Sequence, residues 1–97
     1  MIIAFSVTPI GTATVSVADE VADAVRVVRA SGLPARTGAM FTEIEGEWDD
    51  LMSVVKRAVD AVLERSARVS LVLKADIRPG VTGALDAKVA AIEERLA

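Results

Sequence analysis

The 97-residue chain contains no cysteine, no histidine and no tyrosine, and asparagine and glutamine are missing as well. Without cysteine there is no disulfide framework and no thiolate chemistry, and without histidine the usual general base near neutral pH and the common transition-metal ligand sets are gone. Ser-His and Cys-His catalysis and zinc sites are thereby excluded. Aromatic residues are scarce at 3%. Charges interrupt every apolar run well before the roughly 20 residues that a membrane-spanning helix requires. Excess positive charge is also lacking: 11 basic residues stand against 14 acidic ones, for a net charge of -3. Sequence-independent nucleic-acid binding needs a basic face, so the balance argues against it. The working polar vocabulary is Asp, Glu, Ser, Thr, Lys, Arg, one Trp and the backbone. This composition favours binding over catalysis and implies no cofactor and no metal.

A hydrophobic share of 53% with 26% charged residues is that of a globular chain rather than a disordered one. The length suits one domain spanning residues 1–97. Met1 to Phe5 is apolar but lacks a basic lead-in, and Ser6, Thr8 and Pro9 interrupt it. A secretory segment is not expected, and the chain reads as cytoplasmic.

Ile2 to Ile10 is rich in β-branched residues and closes at Pro9 and Gly11, which predicts a strand. Alternation puts Ile3, Phe5 and Val7 on one face and Ile2, Ala4, Ser6 and Thr8 on the other. Ser16 and Asp19 form a capping-box pattern, and Val21, Ala24, Val25 and Val28 recur at helical spacing, predicting a helix from Val17 to Ala30. Leu33 to Met40, with Pro34 and Gly38, reads as an irregular edge strand, followed through a turn at Gly38 to Met40 by a strand from Phe41 to Glu45. In that strand Thr42 and Ile44 share one face and Glu43 and Glu45 the other. Trp48, Leu51, Met52, Val55, Val59, Val62 and Leu63 keep a 3.6-residue period, predicting a second helix from Glu47 to Arg65 with Trp48 on its core stripe. Its acidic start suits the positive end of the helix dipole. Arg68 to Arg78 alternates as a half-buried strand, with Val69, Leu71, Leu73, Ala75 and Ile77 facing the core. Thr82 is placed to cap a last helix carrying Leu85, Val89, Ile92 and Leu96.

The resulting order, βαββαβ plus a C-terminal helix, predicts an α+β ferredoxin-like domain. Right-handed crossovers give a four-stranded antiparallel sheet of order 4-1-3-2, with the first two helices on one face. The other face is then bare. A domain this small has little core to spare, so that face and the last helix are expected to be buried against another copy in a homo-oligomer, unless the last helix folds back on its own sheet edge.

On the open face this reading sets Ser6 and Thr8 beside Lys74, Asp76 and Arg78 on one flank and Glu43 and Glu45 on the other. A solvated or inter-subunit polar face is the plain interpretation. The sharper one is a small-ligand site near a subunit interface, where paired carboxylates suit a cationic or amidine-like ligand. Two chemistries that share the topology fail on residues. Acylphosphatases place an Arg in the first loop and an Asn on a strand, and RNA-recognition domains need stacking aromatics on the central strands.

Ser6-Val7-Thr8-Pro9-Ile10-Gly11, Ser16-Val17, Thr42-Glu43-Ile44-Glu45-Gly46-Glu47-Trp48 and Lys74-Ala75-Asp76-Ile77-Arg78 together resemble the small thiamine-binding protein family. The resemblance spans nearly the whole chain and extends to the YkoF-type binders of thiamine and hydroxymethylpyrimidine. It implies a non-enzymatic cytosolic binder, self-associating as a dimer or a dimer of dimers (homotetramer). The positions matching the pattern are Ser6, Thr8, Thr42, Glu45, Lys74, Asp76 and Arg78. Thiamine carries a permanent positive charge and an aminopyrimidine edge that a carboxyl group matches. Glu45 is therefore expected to lead, seconded by Glu43, with Met40, Phe41 and Trp48 walling the rings. The alternative is a structural or regulatory homo-oligomeric module without a small-molecule ligand.

Overall fold

A computed structural model describes residues 1–11 and 18–97 of the chain. Ser16 and Val17 lie outside the described residues, and with them the expected capping box and helix start. The elements are β1 (Ile2–Ile10), α1 (Ala18–Ala30), β2 (Ala35–Thr37), β3 (Thr42–Glu45), α2 (Trp48–Leu63), β4 (Arg68–Asp76) and α3 (Ala84–Leu96). The sheet order is β2-β3-β1-β4 and every pairing is antiparallel, which is the ferredoxin-like arrangement expected.

Alternation in β1 sets the layers. Ile3, Phe5 and Val7 are buried, while Ile2, Ala4 and Ser6 on the reverse face are half-buried and Thr8 is exposed. The buried face meets α1 through Ala24 and Val28 and α2 through Leu51, Val54, Val55, Ala58 and Val62, a helical stripe laid along the sheet. Ile3, Ile44, Leu51, Val28, Val54 and Val62 are the largest fully buried side chains. Each contributes about 1.5–3 kcal/mol relative to exposure, so this layer dominates the stability.

Register carries the rest of the argument. β3 reaches only half of β1, pairing from Ile2↔Glu45 to Phe5↔Thr42, whereas β4 pairs along its whole length from Ile2↔Asp76 to Ile10↔Arg68. Beyond Phe5, among the described residues β1 pairs with β4 alone. The strands are shorter than expected for the same reason: β4 stops at Asp76, not Arg78, because β1 offers no partner past Ile2. The expected edge strand from Leu33 to Met40 contracts to Ala35–Thr37, and Phe41 lies in the turn, where its carbonyl accepts from the Gly38 N–H at 2.9 Å.

Three expectations about side chains are corrected. Trp48 is not in the core. It is the first residue of α2, beyond the cover of the sheet, and is 53% exposed. Leu71, on the inward face of β4, remains exposed because this strand is at the sheet edge, and Ile77 lies beyond the end of the strand at Asp76 and is exposed as well. Thr82 does not cap α3: the helix starts after Gly83, whose φ of 70° lies in the left-handed region that glycine tolerates.

Candidate functional site

Antiparallel register brings the start of β1 against the ends of β3 and β4. On the open face, Arg36, Glu43, Ala4 and Lys74 form one row across the sheet, and Glu45, Ile2 and Asp76 form the next. The small side chain of Ala4 leaves room between Glu43 and Lys74, whose backbones stand two strand spacings or about 10 Å apart. The hydroxyls are elsewhere. Ser6 pairs with Val72, one row along the face from Glu43 and Lys74, and Thr8 pairs with Ser70, so of the expected grouping only Ser6 lies diagonal to Glu43 and Lys74, and neither hydroxyl lines the cavity those residues share.

Above these rows runs α3, so the open face is partly covered by the chain itself. Glu45 is buried, and its carboxylate accepts hydrogen bonds from the backbone of α3: Oε2 from the Ala84 N–H at 2.8 Å and Oε1 from the Leu85 N–H at 3.5 Å. A carboxylate at a helix start satisfies orphan donors and meets the positive end of the dipole. Two ion pairs hold the helix further along, Arg36 to Asp86 at 2.7 Å and Lys88 to Asp76. Leu85 is buried beneath the helix, and Val89 is half-buried. The expected apolar stripe is therefore divided: Leu85 packs within its own chain, while Ile92 and Leu96 stay exposed.

Between α3 and the sheet lies a cavity of about 500 Å³, lined by Ile2, Ala4, Leu85 and Val89 on its apolar side and by Glu43, Lys74, Asp76 and Lys88 on its polar side. The hydrogen bond from Lys88, and then the charge of its ammonium, hold the Asp76 carboxyl below the usual aspartate range; slight desolvation opposes them, and Arg78 and Lys74 add to the lowering. Asp76 and Lys88 thus satisfy each other. Glu43 and Lys74 make no hydrogen bond or ion pair with the other described residues.

The remaining expected site residues fall into two other places. Ser6, Thr8 and Thr42, with Met40 and Phe41, line a cleft of about 220 Å³ beside α1, where β3 leaves the edge of β1 open. Trp48 and Arg78 line a third cavity of about 310 Å³ at the start of α2. Gly46 makes its close approach to the side chains of Leu33 and Leu51. The contributions of Arg36 and Lys88 are not visible in the sequence, where the stripe of α3 headed by Leu85 points first to a subunit interface and only second to a return onto its own sheet. A signal for it was present in Asp86 and Lys88, whose charges complement Arg36 and Asp76.

The family model of the thiamine-binding proteins matches residues 3–93. A UPF0045 protein of Mycobacterium bovis is 55% identical, over 99% of this chain and 94% of its own length. Another, from Methanothermobacter thermautotrophicus, is 36% identical over 94% of each. Among solved structures, a hypothetical protein of Methanocaldococcus jannaschii superposes with a TM-score of 0.86 at 32% identity, covering 96% of this chain and 95% of that one. A Thermotoga maritima protein provisionally assigned to thiamine biosynthesis or salvage shares the fold, with a TM-score of 0.77 at 20% identity over 92% and 96% of the two chains. Four separate motif blocks and a match from residue 3 to residue 93 converge on one assignment: the chain belongs to the thiamine-binding protein family.

Proposed function

We propose that the chain binds thiamine or its hydroxymethylpyrimidine precursor, without turning it over, in the cavity between α3 and the open sheet face. The observation that carries this reading is Glu43. Its carboxylate lines a cavity of about 500 Å³ and is engaged by no other described residue, whereas Glu45 is already committed to α3. Small-molecule sites typically enclose about 300–1,000 Å³, with apolar walls and a few convergent polar groups. Ile2, Ala4, Leu85 and Val89 offer the apolar surface for the rings. Glu43 accepts from the amino group of the pyrimidine and balances the thiazolium charge. Glu45 acts one step back, by fixing the wall that α3 provides. Family membership supports binding rather than catalysis.

A second location has its own support. The cleft beside α1 joins Thr8 and Thr42 to Met40 and Phe41, with no charged side chain among its described lining, which suits the neutral pyrimidine better than the cation. Exposed Val72, Ile92 and Leu96 are consistent with self-association of the cytosolic domain, as a dimer or dimer of dimers. Titrating thiamine and hydroxymethylpyrimidine into the parent, Glu43→Gln and Thr42→Val in a calorimeter separates the locations. Weaker thiamine binding by Glu43→Gln alone supports the open-face cavity. Weaker binding by Thr42→Val alone moves the site to the cleft, and no binding by the parent at millimolar ligand removes the reading.

A further inference from the structure

We infer that the open-face cavity prefers a phosphate monoester of its cationic heterocycle over the unphosphorylated compound, with Lys74 as the residue that reads the phosphate. This rests on the reading of that cavity as the binding site.

The charges around this cavity are not all matched within the chain. Four charged side chains among the described residues line the cavity. Asp76 forms its ion pair with Lys88 and is also favoured, more weakly, by the nearby charge of Lys74, and neighbouring Asp86 is held by Arg36, so the carboxylates other than Glu43 are already balanced within the chain. What remains for a ligand is one carboxylate, Glu43, and one ammonium, Lys74, on the same row with Ala4 between them. A ligand that is only a cation answers Glu43 and leaves Lys74 facing like charge. A ligand with a cationic aminopyrimidine-thiazolium body and an anionic phosphate answers both. The two positions stand about 10 Å apart at the backbone, no ion pair joins them among the described residues, and an elongated molecule can span them. Arg78 does not share this task, since it lines the cavity at the start of α2. Lysine acts as a compact point charge for phosphate, and a charge-assisted contact of this kind is worth about tenfold to a hundredfold in affinity.

The test is a set of calorimetric titrations with thiamine, thiamine monophosphate and inorganic phosphate into the parent, Lys74→Met and Lys74→Arg. Thiamine monophosphate is expected to bind about tenfold or more tighter than thiamine to the parent. That advantage should vanish in Lys74→Met and return in Lys74→Arg, with thiamine itself bound by Lys74→Met at least as well as by the parent. Equal affinity for the two compounds, or a preference that survives Lys74→Met, overturns the inference while leaving thiamine binding intact. Inorganic phosphate binding as tightly as the monoester overturns it too, by showing an anion site independent of the heterocycle. If neither thiamine compound binds, the reading of the cavity and the inference fall together.

Discussion

Replacing Glu45 by Ala removes both acceptors that hold the first turn of α3, leaving the Ala84 and Leu85 N–H groups without the partner they have at 2.8 and 3.5 Å. Only the shorter contact has full hydrogen-bond geometry, so the loss is counted as one bond to a charged acceptor, about 1.5–3 kcal/mol. Glu45 is 7% exposed and Leu85 4%, so water does not readily replace the carboxylate. The helix buries little else, since Val89 is half-buried and Ile92 is 59% exposed. Its opening is consequently a local event, separate from unfolding of the layer built on Leu51 and Val62. The expected outcome of Glu45→Ala is therefore amide exchange about tenfold to a hundredfold faster across residues 84–96, with the amides of α2 unchanged. Glu45→Gln keeps one carbonyl acceptor and should fall between the parent and Glu45→Ala. Hydrogen exchange followed residue by residue by NMR reads this directly. Unchanged protection of α3 in Glu45→Ala, or an equal loss across α2, would refute the assignment of Glu45 as the anchor of the helix.

Further outcomes follow from the same face. Leu85→Ala should cost about 2–4 kcal/mol, seen as loss of α3 protection, whereas Ile92→Glu should leave the folded chain as stable as the parent and lower its mass by light scattering if α3 contributes to self-association. Asp76 titrates below the usual aspartate range because Lys88 favours its charged form. Its contribution to stability is thus complete above the unfolded-state value and is lost as pH falls through the depressed folded-state value. In NMR titrations the Asp76 carboxyl should protonate below the usual aspartate range, and Lys88→Met should return it toward the ordinary range.

The sequence was most informative where a local period decided the outcome. The alternation of Ile3, Phe5 and Val7 and the stripe from Leu51 to Val62 each identify a buried face, and the order of elements leads to the observed sheet. Errors arose where a long-range relation decides. Grouping Ser6 and Thr8 with Lys74 and Glu43 respected the strand order but not the direction of pairing. In antiparallel register Ile2 meets Glu45 and Asp76, Ser6 falls in the middle of the strand and Thr8 toward its other end. Glu45 presents another case. The donors it serves lie 39 and 40 residues away, and nothing in Thr42-Glu43-Ile44-Glu45 announces that a helix returns to it. Trp48 sits three residues before Leu51 and so fits the core period, yet at the start of its helix it extends past the sheet. Periodicity reports a direction around the helix axis and says nothing of how far along it the cover extends.

The most direct test of the account is a crystal structure of the chain grown with thiamine. The account predicts thiamine between α3 and the open sheet face, its aminopyrimidine edge within hydrogen-bond distance of the Glu43 carboxylate and Glu45 still joined to Ala84. Thiamine found instead in the cleft lined by Thr8 and Thr42, or bound to a Glu45 carboxylate released from α3, would contradict it.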